Sequence, residues 1–346
     1  MSCNKCTTTP ILPSESCDFY VSASHDYILE KLADNIPEYK SERMNDYLFF
    51  NADADEFFQT NNFEFLNLTE KENLHMLILK KNTQPSFSHF SKTKTLEAWI
   101  TLYKSMELIW LLKEGRITTF FQPIVNTSSL EIFGYECLSR GVTQSGEYMP
   151  PDIMFGAAKT TGMLFNLDRQ CREAAIKTSA IKKIDKNIFI NFLPTAIYNP
   201  EFCLKDTVMW LDKFEFEPSS ITFEVVETEE ITNTAHLQEI LTFYKSKGYN
   251  TALDDMGSGY SSLNLLSALS PDIVKIDMEL IRDIDKNSIK QSIVEGLIAI
   301  SNGIGYKMIA EGIETKEEYE WIKEKGIDYV QGYYFAKPSP EPVRIL

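Results

Sequence analysis

Eight short runs rich in β-branched and aromatic residues recur through the last two thirds of the chain, most of them separated by amphipathic helical segments. They are ITTFFQPIV from Ile117, LEIFGYECL from Leu130, IFINF from Ile188, ITFEVV from Ile221, NTALDD from Asn250, DIVKID from Asp272, YKMIAE from Tyr306 and DYVQGY from Asp328. Strand-helix alternation dictates a largely parallel sheet, because a parallel crossover needs a helix-sized connection. Eight such strands suit closure into a barrel. One connection breaks the pattern: only NTSS from Asn126 separates the first two runs. That is too short for a parallel crossover, so the pair must be an antiparallel hairpin. The expected fold is α/β, a TIM-like (β/α)8 barrel with its first strand reversed.

The chain has 346 residues, more than the roughly 250 that one barrel uses. The surplus lies upstream. FYVSAS from Phe19 reads as a strand, YILEKLADNI from Tyr27 as an amphipathic helix, and DYLFFN from Asp46 and NLHMLILKK from Asn73 as further strands. Together they give a small α+β domain over residues 1–95, expected to be sensory or regulatory. NTQPSFSHFSKTKT from Asn82 is polar and aperiodic and reads as a linker. A connecting helix over 96–115 carries Trp99, Leu102, Tyr103, Met106, Ile109 and Trp110 at near-helical spacing and ends at Gly115. That stripe is expected to pack on the barrel, which takes 116–346.

Bulk properties exclude several classes. Hydrophobic residues make up 43% of the chain, enough for a sizeable core. No apolar run reaches the roughly 18 residues of a membrane helix, and the N-terminus lacks a signal-peptide stretch, so a cytoplasmic location is expected. A net charge of −16 argues against polymeric nucleic acid as a partner. Cys3 and Cys6 form a lone C-x-x-C with Cys17 nearby, and no second pair follows at zinc-site spacing. A flexible tail is the first reading of that segment, with a metal or redox role as the alternative.

The strand ends carry chemistry. Glu136 closes the second run and Asn191 the third; Glu224 lies in the fourth, followed by Glu227. Asp254 and Asp255 close the fifth, Lys275 and Asp277 the sixth, Glu311 the seventh and Gln331 the eighth. In a β/α barrel the C-terminal strand ends meet on one face, which holds the active site. A ring of acids balanced by one lysine repels itself unless cations neutralise it. Oxygen ligands with no histidine or cysteine among them favour magnesium, manganese or calcium over zinc. Two metals sharing one carboxylate suit phosphate-ester hydrolysis, and Asp254 beside Asp255 offers that carboxylate. A lone strand-end Asp is usually a helix cap; the coincidence at successive strands is what points to a site. The glycines of DDMGSGYSSLNLL from Asp254 allow a tight loop beside a ligand.

The ordered motifs FFQPIV, GYECLSR, INFLP, FEVVE, ALDDMGSGYSSL, VKID, AEGIE and QGYYFAKP resemble the EAL domain cyclic di-GMP phosphodiesterases over about residues 105–346. The resemblance implies a TIM-like barrel with a reversed first strand, two Mg2+ or Mn2+ ions per site and hydrolysis of cyclic di-GMP to linear 5′-pGpG. It implies Glu136, Asn191, Glu224 and Asp254 around a first metal, with Asp254 bridging to a second near Asp255 and Glu311. Lys275 would hold the attacking water and Gln331 would help position water and phosphate. Gln122 and Arg140 would contact substrate. Asn191 and Asp255 fall at the substrate as well. Glu227 and Glu314 would brace the loop after Asp255, and a homodimer through the barrel is implied. The signature reads Glu-Cys-Leu, with Cys137 where alanine is usual, a small apolar replacement that is expected to be tolerated. Met256 stands for the usual Phe, and no ligand is missing. The rival readings are a catalytically silent cyclic di-GMP receptor and a hydrolase for another phosphodiester. Calcium is expected to inhibit, since it takes more ligands at longer bonds than magnesium.

Overall fold

The computed structural model describes residues 9–345 apart from 11, 14, 226–233 and 258–262. These form two compact units, one of Thr9–Lys113 with Gly156–Met163, the other of Glu114–Phe155 and residues 164–345.

In the N-terminal unit, β1 (Ser16–Ala23), β2 (Glu42–Met44), β3 (Tyr47–Asp53), β4 (Leu74–Lys80) and β5 (Lys94–Thr95) form a sheet in the order β2-β3-β1-β4-β5. β1 is antiparallel to both β3 and β4. Helix Asp26–Asn35 follows β1, and helices Ala54–Thr60 and Leu68–Asn73 link β3 to β4, a split β-α-β arrangement. Period-two alternation sends Phe19 and Val21 of β1, Leu48 and Phe50 of β3, and Leu74 and Met76 of β4 into the core. Phe57 of helix Ala54–Thr60 seals it, its ring centroid 5.0 Å from Phe19 and 5.3 Å from Phe50.

The helical run from Leu96 is two helices, Leu96–Lys104 and Met106–Glu114. At the break, the Ser105 hydroxyl donates to the Thr101 carbonyl at 2.8 Å, competing with the backbone ladder. Its stripe does not match the expectation of barrel packing. Trp99 Nε1 donates to the Met76 carbonyl at 3.0 Å and Tyr103 stacks on Phe58 at 4.2 Å, so these rings are consumed inside the N-terminal unit. The stretch read as a linker contains a 3-10 turn, Phe87–Lys92. Cys17 is buried at the start of β1; Cys3 and Cys6 lie outside the described residues.

The second unit is the barrel. Its strands are β6 (Ile117–Asn126), β7 (Ile132–Val142), β9 (Asn187–Phe192), β10 (Ile221–Val225), β11 (Asn250–Met256), β12 (Ile273–Ile276), β13 (Lys307–Ala310) and β14 (Tyr329–Val330); a short β8 (Tyr148–Met149) pairs only with β7. The order β6-β14-β13-β12-β11-β10-β9-β7 closes through β6–β7 pairing. Neighbours from β7 round to β14 are parallel, and β6 is antiparallel to both of its neighbours. The reversed first strand expected from the NTSS connection is present.

Strand periodicity sorts the barrel interior into layers. Ile124, Phe189, Ala252, Ile273 and Ile309 form a buried apolar plug. Two residues further along β9, β11 and β12, and the same step past β13, come Asn191, Asp254, Lys275 and Glu311. On β6 the polar residue, Gln122, precedes its plug residue, Ile124, because that strand runs the other way. One layer therefore closes the barrel while the next presents polar groups at its C-terminal mouth.

Two local devices hold the mouth. Gly332, directly after Gln331, lets the chain approach Ile313 so closely that a Cβ would collide with the Ile313 backbone. The Ile313 amide donates to the Gln331 carbonyl at 3.1 Å there. Glu318, buried, accepts from the amides of Glu314 at 2.9 Å, Thr315 at 3.1 Å and Asp283 at 3.0 Å. It thereby ties the segment after β13 to the segment after β12. Burial alone opposes ionisation of Glu318, but these amides and Arg282 outweigh it and hold the carboxyl below its ordinary range.

Gly332→Ala is expected to lower unfolding stability by about 2 kcal/mol or more by backbone collision. Gly303→Ala, on a helix with open space around it, is expected to stabilise by about 0.5–1 kcal/mol; urea midpoints separate the two. The Glu318 contribution is fully present above the unfolded carboxylate pKa and is lost as pH falls through the lower folded value. Glu318→Gln should therefore destabilise at neutral pH and lose that part of the acid-side decline in Tm.

Candidate active site

At the mouth, Lys275 is 1% exposed and surrounded by acids. Its Nζ lies 2.7 Å from Glu311 Oε1, 3.0 Å from Asp254 Oδ1, 3.3 Å from Glu224 Oε1 and 3.8 Å from Glu136 Oε2. Amides complete the ring. Gln331 Nε2 donates to Glu136 Oε2 at 2.6 Å and to Gln122 Oε1 at 3.0 Å, and Asn191 Nδ2 donates to Glu136 Oε1 at 3.2 Å. A cavity of about 300 Å3 opens here, with Glu136, Asn191 and Asp254 on its polar side and Phe155, Phe192 and Leu193 on its apolar side.

Asp254 and Asp255 are neighbours on β11 and in a regular strand would face opposite ways. The pairing with β12 advances from Leu253 to Met256 while the partner moves only from Val274 to Ile276. This bulge carries Asp255 at φ +53°, a left-handed conformation uncommon for a residue with a Cβ. It turns both carboxylates to one place: ligand oxygens of Asp254, Asp255 and Glu311 lie within 4.8 Å of one another.

The electrostatics are lopsided. Burial raises the pKa of Glu224, Asp254 and Glu311 above the carboxylate range; Lys275 opposes the rise and neighbouring acids add to it. Asp255 is pushed up to about 7, by burial and then by the Asp254 charge. Burial alone would weaken Lys275 as a base, but the four acids overcome it and keep the ammonium charged. Among the described residues, Asn191 Oδ1, Glu224 Oε2 and Gln331 Oε1 are buried without a hydrogen-bond donor, and Glu224 Oε1 faces the Lys275 ammonium at 3.3 Å. Orphaned acceptors beside surplus negative charge fit hard divalent cations.

The family model described as the EAL domain matches residues 107–338. The chain belongs to the EAL domain family. Among curated relatives, it is 27% identical over 280 residues to the signaling protein YkoW of Bacillus subtilis, covering 80% of this chain and 35% of that one. It is 29% identical over 231 residues to the probable cyclic di-GMP phosphodiesterase PdeG of Escherichia coli, covering 66% and 45%. The chain thus spans less than half the length of either relative. A standalone EAL protein of Vibrio cholerae, solved with cyclic di-GMP bound, matches with a TM-score of 0.59 at 39% identity, covering 64% of this chain and 92% of that chain.

The EAL barrel brings together Gln122, Glu136, Asn191, Glu224, Asp254, Asp255, Lys275, Glu311 and Gln331. Arg140 shares the Glu136 face of β7 four residues on, its guanidinium 5.1 Å from the Phe120 ring centroid. Glu314 stands apart from the cluster. It faces Arg282 at 2.7 Å, and the bracing of its own segment falls to Glu318. Asp277 joins the edge of the cluster: it caps helix Met278–Ile281, accepting from the Glu279 amide at 2.6 Å, and its side chain also hydrogen-bonds Asp255. Glu227 lies outside the described residues. Cys137 packs behind Glu136 with its thiol pushed up to about 12 by burial, so it serves as a small apolar side chain.

Sequence reasoning missed two supports of the EAL site. Asp168, on helix Leu164–Ile181, accepts from the Leu193 amide at 2.9 Å and pairs with Arg172, fixing the chain two residues beyond Asn191. An i,i+4 acid-base pair on a helix reads equally well as a solvated pair, so its burial was illegible. Glu318 was findable, because Thr315 and Glu318 spell a capping box.

Removing charge from opposite sides of the ring should move metal-free stability in opposite directions. Lys275→Met, which leaves the acids without their cation, is expected to cost about 3–5 kcal/mol in EDTA. Glu224→Gln removes a buried charge and is expected to raise stability by about 1 kcal/mol in EDTA while losing any Mg2+-dependent rise in Tm. Urea and thermal unfolding with and without Mg2+ read both.

Proposed function

We propose that this EAL barrel hydrolyses cyclic di-GMP to linear 5′-pGpG, lowering a bacterial second messenger. The observation that carries the reading is the concentration of four carboxylates around buried Lys275, joined by the amides of Gln122, Asn191 and Gln331, with acceptor oxygens on Asn191, Glu224 and Gln331 left without a donor. The names of its relatives support it: one is a probable cyclic di-GMP phosphodiesterase, and a similar EAL protein has been solved with cyclic di-GMP bound.

Glu136, Asn191, Glu224 and Asp254 would hold one Mg2+ or Mn2+ ion, and Asp254, Asp255 and Glu311 a second. Bound divalent cations supply Lewis acidity to the phosphoryl oxygens and lower the pKa of water. Lys275, kept charged by its acidic neighbours, donates a hydrogen bond to the attacking water and orients it in line. Water's oxygen joins phosphorus as it gives up a proton, the bond to one 3′ oxygen breaks, and that oxygen takes up a proton. Gln331, held against Glu136 and Gln122, positions the water and phosphate. Gln122 and Arg140 contact the substrate, and the apolar side of the cavity receives a base. Glu227 would brace the loop after Asp255. The N-terminal unit regulates turnover, and the barrel pairs as a homodimer in the cytoplasm.

Purified protein with Mg2+ or Mn2+ is expected to convert cyclic di-GMP to pGpG by chromatography, with an EDTA blank inactive. Glu136→Ala should lower kcat by about 10^3-fold or more. Calcium added beside magnesium should inhibit, since its longer bonds misplace water and phosphate. Tight binding of cyclic di-GMP by calorimetry with no product under any of these metals would replace the enzyme reading with the silent receptor.

A further inference from the structure

Residues 80–94, joining β4 to β5 in the N-terminal unit, read KKNTQPSFSHFSKTK. This stretch holds Lys80, Lys81, Lys92 and Lys94, all exposed, and no acid, in a chain whose net charge is −16. Phe87 is 93% exposed and Phe90 76%. The other described phenylalanines are far more covered, and the core of this unit is built from them.

The presentation of the two rings is a product of local structure. Turn Phe87–Lys92 is a 3-10 helix, with three residues per turn, so side chains at i and i+3 project together. Ser86 and His89 close a capping box at its start, the Ser86 amide donating to His89 Nδ1 at 3.2 Å. The rings lie parallel, 6.4 Å apart with planes 6° from each other. Two aromatic rings thus stand side by side at the tip of an acid-free, lysine-flanked loop. Leaving them in water forgoes the stabilisation that burial of each would give.

We propose that this loop is a membrane-contact site that inserts Phe87 and Phe90 into the interface of an anionic lipid bilayer while the four lysines meet its headgroups. Charge complementarity selects the occupant. An acidic chain is repelled by anionic bilayers everywhere except where a local cationic patch faces them, and Lys80–Lys94 is such a patch. The shape agrees. Protruding rings suit a fluid interface that parts around them, whereas a folded partner needs a broader complementary surface. One apolar wedge with one basic patch supplies the two signals that reversible membrane anchoring requires. Among the described residues no helix is long and apolar enough to cross a membrane.

The test is co-sedimentation of the full chain with vesicles of phosphatidylcholine alone and with about 30% phosphatidylglycerol. Binding is expected only to the anionic vesicles, falling about tenfold when salt rises from roughly 0.1 to 0.5 M. Phe87→Ser with Phe90→Ser should lower partitioning by about 30-fold or more, with an unchanged thermal melt. Lys81→Glu with Lys92→Glu should lower it independently. Absence of binding to the anionic vesicles, or equal binding to both vesicle types, would overturn the proposal. So would a double Phe variant that binds vesicles as before but changes sedimenting mass, which would make the loop a protein-protein surface.

Discussion

The ammonium of Lys275 among Glu136, Glu224, Asp254 and Glu311 is the interaction on which the barrel mouth is organised. One positive charge faces four acids at 2.7–3.8 Å. In a low-dielectric pocket such an arrangement is neither a plain salt bridge nor neutral. The ammonium offsets part of the repulsion, and burial drives several of the acids toward protonation. The chain holds these groups at the cost of stability in the absence of cations. Such strain is expected at a functional site rather than in a fold that is as stable as possible.

Backbone geometry does the aiming. The β11 bulge puts a Cβ-bearing residue, Asp255, into the left-handed region so that two sequential carboxylates reach one place. The contact at Gly332 fixes Gln331 from below, and the Glu318 carboxylate ties together the segments following β12 and β13. Asp168 does the same for the end of β9. These supports lie outside the ring yet set its dimensions, because each binds backbone within a few residues of a ring member.

Much of this was legible from the chain alone. NTSS forced a reversed first strand because a four-residue link has a single geometric solution, and β6 is antiparallel to both neighbours. The strand-end acids pointed to one mouth because barrel topology brings every C-terminal end to one face. Other readings failed for physical reasons. Trp99 and Tyr103 were assigned to the barrel because an apolar stripe says that a partner exists without saying which one. Glu314 was read as a brace of the loop after Asp255 because position in sequence cannot show that its carboxylate pairs with Arg282. The segment holding Phe87 and Phe90 looked like a plain linker because a 3-10 turn is too short to leave a periodic signal.

The sequence by itself determined the strand-helix order, the hairpin that reverses β6 and the family, since each follows from connection lengths, hydrophobic periodicity or motifs that local chemistry dictates. The tertiary structure alone decided which carboxylates share the Lys275 ammonium, that Asp255 turns to the same side as Asp254, and that Asp168 holds the backbone beyond Asn191. Those outcomes depend on a one-residue slip in pairing and on the packing of elements distant in sequence. Neither leaves a trace in the residue pattern of a single strand or helix.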